Sequence, residues 1–173
     1  KRLCVRMQDA SWRYHIVGSC GSDAASVRYL NELKNSARGF PIDFLVSIPH
    51  EELKREFNRS SIFWHAAGYD ANETTSPERT EHFGMSTVEA MSAECVPVVI
   101  NKGGQREIVQ HRSSGFVWNS LDELIEHTIH LMRNGALRNE LKTKARNRYS
   151  DFSYEQFAER LLSLFQPLLQ QYS

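Results

Sequence analysis

Apolar positions along the chain follow two rhythms. Short, nearly continuous apolar runs alternate with longer stretches in which apolar residues recur every three or four positions. The first rhythm reads as buried strands and the second as helices with one buried face. Residues 14–17 (YHIV) are the first run, ended by Gly18 and Gly21. Ser22 offers a cap for the following helix, which carries Val27, Leu30 and Leu33 on one face and has Gly39 past its end. Residues 42–46 read as a second strand. Pro49 opens a helix bearing Leu53 and Phe57, and residues 62–65 form a third strand. A helix from about Met85 to Glu94 precedes a strand at 97–100. Gly103 and Gly104 then break the chain before a short helix with Ile108 and Val109, and residues 115–118 form a fifth strand.

Residues 66–80 interrupt this alternation. Gly68, Asp70, Asn72, Thr74, Thr75, Ser76 and Pro77 crowd a polar loop, and loops that long in compact domains are functional or mobile segments. After Trp118 the pattern is helical. Ser120 to Glu123 and Ser153 to Gln156 both have the form of a capping box. Leu121, Leu124, Ile125, Thr128 and Leu131 keep the helical period, as do Phe157, Leu161, Leu164, Phe165 and Leu168, a face read as core packing. Strands separated by helices predict an α/β fold, a Rossmann-like parallel sheet flanked by helices. Ligands of such sheets sit beyond the carboxyl ends of the strands. The loops after Val17, Val46, His65, Ile100 and Trp118 are therefore the expected walls of a site.

Composition narrows the classes. The 173 residues suit a single core, and a 40% hydrophobic content excludes a disordered chain. Lysine and arginine number 21, as do aspartate and glutamate, so the net charge is zero and no nucleic-acid partner is expected. The best apolar run, residues 96–100, falls far short of the roughly 20 residues a membrane span needs. No signal peptide pattern opens the chain. Cys4, Cys20 and Cys95 form no CxxC pair, which points to a reducing cytoplasm and to neither a disulfide framework nor a zinc site. His127 and His130 have metal-ligand spacing but no third ligand, so they read as a surface pair. His65 reads as a satisfied strand-end residue. The basic stretch Arg138, Lys142, Lys144, Arg146 and Arg148 spreads around a helix and reads as facing solvent or a further domain.

Candidate chemistry concentrates in residues 81–91, EHFGMSTVEAM. Gly84 lets a ligand approach the backbone, and the amides of Met85, Ser86 and Thr87 at a helix start are a natural phosphate or diphosphate site. Glu81 lies just before that start and Glu89 eight residues later, roughly 12 Å along a helix. Such a separation suits two ends of one extended ligand rather than a close acid–base pair. Each carboxylate could accept hydrogen bonds from vicinal sugar hydroxyls. A solvated helix face is the plainer reading of both, and spacing alone favours it. For Gly103 and Gly104 a plain turn and a ligand-facing loop weigh equally.

The composite from Phe63 to Trp118 changes that balance. E-H-F-G-M-S-T-V-E-A-M, V-P-V-V-I, G-G-Q-R-E-I-V and G-F-V-W closely resemble the nucleotide-sugar-binding half of family 4 glycosyltransferases, which have the GT-B fold. The flanking Y-H-I-V-G, I-D-F-L and E-E-L segments fit the same half less specifically. The resemblance implies a retaining hexosyltransferase that uses a nucleotide-diphosphate sugar. It places Glu81 beside the donor hexose near the reacting centre and Glu89 on the ribose hydroxyls. It sets the amides around Phe83, Gly84 and Met85, with Ser86, against the hexose and diphosphate, and Ser47 and Ile48 along the base. His82, beside Glu81, would contact donor or acceptor. It implies no cofactor and no metal.

Four departures stand out. Glu94 and His82 each replace a common glycine, and Val46 replaces another beside the base loop. The amino-terminal acceptor domain and the first strand of this half are absent, which leaves Lys1 or Arg2 as the remnant of the basic pair at the diphosphate. Residues 1–173 thus read as one donor-binding domain, a fragment that alone binds donor weakly and transfers nothing. Its partners would be the nucleotide sugar and, through the missing domain, a glycan or lipid-linked acceptor. Peripheral membrane association of the full-length enzyme is compatible with that acceptor. The rival from another class is a non-catalytic GT-B-like interaction module without nucleotide affinity. An epimerase of the same fold ranks lower, and a receiver-type regulator lower still, since its acidic cluster after the first strand is replaced by Gly18-Ser19-Cys20-Gly21.

Overall fold

A computed structural model describes residues 2–9 and 11–171, with 167–171 as backbone only. Contacts gather into two units, residues 1–59 and 60–173. The first holds helix α1 (Arg2–Arg6), strand β1 (Tyr14–Gly18), helix α2 (Ala24–Ser36), strand β2 (Ile42–Val46) and helix α3 (His50–Arg59). β1 and β2 pair in parallel, with Tyr14 opposite Ile42 and Gly18 opposite Val46. Asp23, not Ser22, caps α2, because its carboxylate accepts from the amides of Ala25 and Ser26. A carboxylate suits the positive end of the helix dipole better than a hydroxyl. Glu56 of α3 is buried and offset by His15 Nδ1 at 2.6 Å and by Arg59.

The second unit carries strands β3 (Ile62–His65), β4 (Val96–Ile100) and β5 (Phe116–Trp118), all parallel, with β4 central. Helix α4 (Met85–Ser92) lies between β3 and β4, and the short α5 (Gln105–Ile108) between β4 and β5. Helices α6 (Leu121–Arg133), α7 (Gly135–Tyr149) and α8 (Tyr154–Gln171) follow. Every residue of β4 is buried. Val96, Val98 and Ile100 pack with Trp118, Leu124 and Leu131, whereas Val99 packs with Val88, Met91 and Ile108. This period of two places α6 on one face of the sheet and α4 and α5 on the other. The continuous apolar run is thus a strand covered on both sides, as the Rossmann-like reading requires.

Local signals explain the helix ends. Ser120 accepts the Glu123 amide, and the Glu123 carboxylate reaches back to the Asn119 amide at 2.7 Å, one residue beyond the standard box. The second box closes only halfway. Ser153 accepts from Gln156, but the Gln156 side chain turns to Glu159.

Two expectations change. Three arginines of the basic stretch are spent inside the unit. Arg138 donates to the Leu131 carbonyl of α6, Arg146 to Ser92 of α4, and Arg148 to Glu107 and Ile108 of α5. One helix thereby caps the negative ends of three others. The amphipathic face of α8 is not core: Phe157 is 62% and Leu164 72% exposed, with Leu161 and Phe165 also exposed. Periodicity reports an apolar stripe but not what covers it. Leu168 lies outside the described side chains. Among the described residues no helix is long and apolar enough to cross a membrane.

Candidate active site

Three loops meet at the carboxyl edge of the β3–β4–β5 sheet. Asn101, after β4, donates to Asn119, after β5, at 2.8 Å. The Gly104 amide donates to the Glu81 carbonyl at 2.9 Å, which ties the loop after β4 to the segment entering α4. A β-carbon on Gly103 would stand 2.1 Å from that carbonyl oxygen, and one on Gly104 2.3 Å from the His82 carbonyl. Gly103 also has φ +55°. The double glycine is therefore required by backbone packed on backbone, directly behind Glu81 and His82.

Gly84 is the left-handed residue that starts α4, with φ 102° and ψ 52°. Its carbonyl accepts the amides of Thr87 and Val88. The Thr87 amide therefore closes the first turn and is not open to a ligand, contrary to the sequence expectation. Among the described residues nothing accepts from the amides of Met85 and Ser86, and two open donors remain at the helix start. Below this turn lies a fully buried polar pair. The Thr87 hydroxyl donates to Gln105 Oε1 at 2.8 Å, and Gln105 Nε2 has no partner. Phe83 is half-exposed and meets the ring of Phe152 edge-on, while Met85 lies open to solvent.

The Glu81 carboxylate is partly exposed and stands 3.7 Å from His65 Nε2, at the end of β3. The other oxygen lies 3.4 Å from the Phe83 amide. His65 is not the satisfied residue expected of a strand end: its side chain is only 10% exposed and Nδ1 has no partner. Burial pushes its pKa below the usual histidine value, and the Glu81 charge opposes that shift. The imidazole is accordingly neutral at neutral pH and sits beside a charged carboxylate. His82 is exposed next to it. Glu89 lies on the exposed face of α4, and among the described residues nothing pairs with its carboxylate, which leaves it available to hydroxyls. Glu81, His82, Phe83, Gly84, Met85, Ser86 and Glu89 thus line one helix start and its approach.

In the other unit, Ser47 follows β2 with φ 55° and donates its amide to the Gly18 carbonyl at 2.8 Å. It is exposed and Ile48 half-buried. Lys1 lies outside the described residues. His127 stacks on Phe116 at 4.4 Å and faces His111 at 5.5 Å, an aromatic cluster rather than a bare surface pair. Sequence reasoning missed Lys102 and the buried pairing of the Thr87 and Gln105 side chains. Their only signal was polar residues beside a buried strand and a glycine pair.

Similarity supports the same reading of the fold. A model of the family described as "Glycosyl transferases group 1" matches residues 1–148. The GDP-Man:Man(3)GlcNAc(2)-PP-Dol alpha-1,2-mannosyltransferase of Xenopus laevis is 29% identical over 93% of this chain, and that of Dictyostelium discoideum 26% over 96%. The chain spans 32% of the length of each. Among solved structures, sucrose-phosphate synthase from Thermosynechococcus elongatus aligns over 98% of this chain and 42% of its own, with TM-score 0.73 and 18% identity. The C-terminal domain of a glycosyl transferase group 1 family protein from Francisella tularensis aligns over 86% and 72%, with TM-score 0.68 and 16% identity. At these identities the structures show the fold, that of GT-B glycosyltransferases. With its family model matched over most of its length, this chain belongs to the glycosyl transferases group 1 family.

Proposed function

We propose that residues 1–173 are the donor-binding domain of a glycosyltransferase that moves a sugar from a nucleoside diphosphate to an acceptor with retention at the anomeric carbon. The observation that carries this reading is the α4 start. Two open amides at Met85 and Ser86 lie between the carboxylate of Glu81, beside His65, and that of Glu89, which nothing pairs with among the described residues. The donor's anomeric carbon–oxygen bond to the diphosphate breaks, a bond to the acceptor oxygen forms, and the acceptor's proton leaves with the diphosphate. Charge grows on the departing diphosphate, so preorganised N–H donors aimed at it stabilise the transition state more than the ground state. The amides of Gly84, Met85 and Ser86 serve this role, with Phe83 shielding one side. Glu81 holds the hexose near the reacting centre, and Glu89 the ribose hydroxyls. His82 contacts donor or acceptor, Ser47 and Ile48 border the base, and Lys1 or Arg2 supplies a cation for the diphosphate. No metal is assigned a step.

The relatives' names specify GDP-mannose and a dolichol-linked glycan. We take GDP-mannose as the first donor to test and a lipid-linked glycan as the acceptor class. The acceptor side falls to a further, amino-terminal domain, and the exposed apolar face of α8 is suited to pack against it. The protein would then act at the cytoplasmic side of a membrane without spanning it through these residues.

Calorimetric titration with UDP, GDP and ADP tests the reading. One nucleotide, GDP first, is expected to bind. Glu89→Ala is expected to weaken it roughly tenfold to a hundredfold, the worth of a charged hydrogen-bond pair of about 1.5–3 kcal/mol. Unchanged affinity removes Glu89 from the ribose role. Absence of binding by the full natural chain favours a non-catalytic module.

A further inference from the structure

The 66–80 loop is long and polar, yet it is built rather than loose. Asn72 Oδ1 accepts the amides of Thr74 and Thr75, Asp70 pairs with Arg79 at 3.1 Å, and Ala71 is buried. A β-carbon on Gly68 would stand 3.0 Å from the Arg79 carbonyl, so the two arms of the loop touch. One side chain fastens three of its carbonyls. Lys102, two residues past the end of β4, donates from Nζ to the carbonyls of Gly68, Tyr69 and Ala71 at 2.8, 2.8 and 2.6 Å. An ammonium has three donors, and this cage uses all three. Among the described residues no carboxylate lies within ion-pair distance of Nζ. Carbonyl dipoles take the place of a counter-ion.

The next two residues extend the same device. The Gly103 amide donates to Glu73 Oε1 at 2.8 Å, which also takes Arg106 at 2.7 Å. The Gly104 amide holds the Glu81 carbonyl at 2.9 Å. Three consecutive residues therefore bind positions 68–71, 73 and 81. The loop and the Glu81 backbone share one support.

We propose that Lys102 is the positioning residue of the Glu81 site: its ammonium cage locks the 66–80 loop onto the Lys102–Gly104 turn that holds Glu81 in place. The inference rests on the donor-binding reading above. It also gives Lys102 a role other than the obvious one for a lysine near a diphosphate. Its three N–H groups are spent on carbonyls, so it orders the site without contacting the ligand. A misplacement of about 1 Å at a reacting centre can cost on the order of a hundredfold in rate, and this is the quantity the cage guards.

The test uses the full natural chain, with Lys102→Ala and Lys102→Met compared to the parent and GDP-mannose, UDP-sugars and ADP-sugars as donors. Amide hydrogen exchange over residues 68–76 is expected to quicken about tenfold or more in both variants, while α6 and α7 keep their protection. Turnover is expected to fall roughly tenfold to a hundredfold in kcat with the donor KM unchanged. Ethylammonium, which offers N–H donors to the empty cage, restores kcat and loop protection in Lys102→Ala. Tetramethylammonium, with no N–H, does not. If either variant fails to fold, Glu73→Gln provides a milder probe that loosens the same turn from its other tie. Unchanged loop exchange overturns the proposal. So does a loss confined to donor KM or nucleotide affinity, which would make Lys102 a ligand contact. Turnover that survives Glu81→Gln overturns the donor-site reading instead, so the two failures are separable.

Discussion

His65 Nε2 stands 3.7 Å from the Glu81 carboxylate, while Nδ1 of the same ring is buried without a partner. The two environments pull the imidazole in opposite directions. Burial lowers its pKa from 6.5, and the Glu81 charge raises it, with burial the larger effect. The folded pKa lies below the unfolded one, so between the two values the unfolded chain binds more protons than the folded one. The associated stability is whole above pH 6.5 and is lost as pH falls through the folded pKa. Replacing Glu81 with glutamine removes the opposing charge. NMR titration of the His65 ring is expected to show a lower midpoint in Glu81→Gln than in the parent. A midpoint that stays or rises contradicts the pairing.

Gly84 is required twice over. Its φ of 102° strains any L side chain, and a β-carbon there would stand 2.5 Å from Gln105 Nε2. Gly84→Ala is expected to cost about 1–3 kcal/mol in urea unfolding. In a Gln105→Ala background the worst clash disappears, leaving about 1 kcal/mol of backbone strain and the tight approach to Ile108 at 3.1 Å. Equal costs in both backgrounds would show that Gln105 is not the obstacle.

Glu94 occupies a glycine's conformation. The Cys95 amide returns to Ala90 and the Glu94 amide to Met91, the two bonds of a Schellman motif, with Glu94 at φ 61°. Glu94→Gly is expected to stabilise the protein by about 1 kcal/mol, read as a higher urea midpoint at unchanged slope. A loss of stability would mean that the glutamate side chain makes a compensating contact.

Arg148 joins α7 to the end of α5. Its guanidinium bonds the Glu107 carbonyl at 2.6 Å and lies 4.9 Å from the Phe152 ring centre. Arg148→Met keeps the apolar stem and loses the cap, at an expected cost of about 1–2 kcal/mol in thermal unfolding. Arg148→Lys is expected to recover little, since an ammonium cannot reproduce the planar fork.

Much of the fold was legible because it rests on short-range rules. Residues 42–46 and 62–65 were read as strands with the bounds the structure has, and β4 with one residue fewer. The glycine usual at position 94 answers to a left-handed residue, because a helix must turn into a strand there within four residues. The Thr87 amide was misread because the sequence cannot show whether the first turn of a helix closes on its own cap. The basic stretch was misread for a related reason: helical spacing says where arginines point around an axis, not which helix ends lie within their reach.

The sequence by itself determined the alternation of strand and helix, the apolar β4 run and the E-H-F-G-M segment that carries the candidate chemistry. These depend on periodicity, propensity and neighbours a few positions apart. Only the tertiary structure decided that Lys102 meets residues 68, 69 and 71, that Gly103 and Gly104 lie against Glu81 and His82, and that His65 faces Glu81. Those pairs lie roughly 15 to 35 positions apart in the chain. The folded packing of one loop on another brings them together, and no local rule encodes that contact.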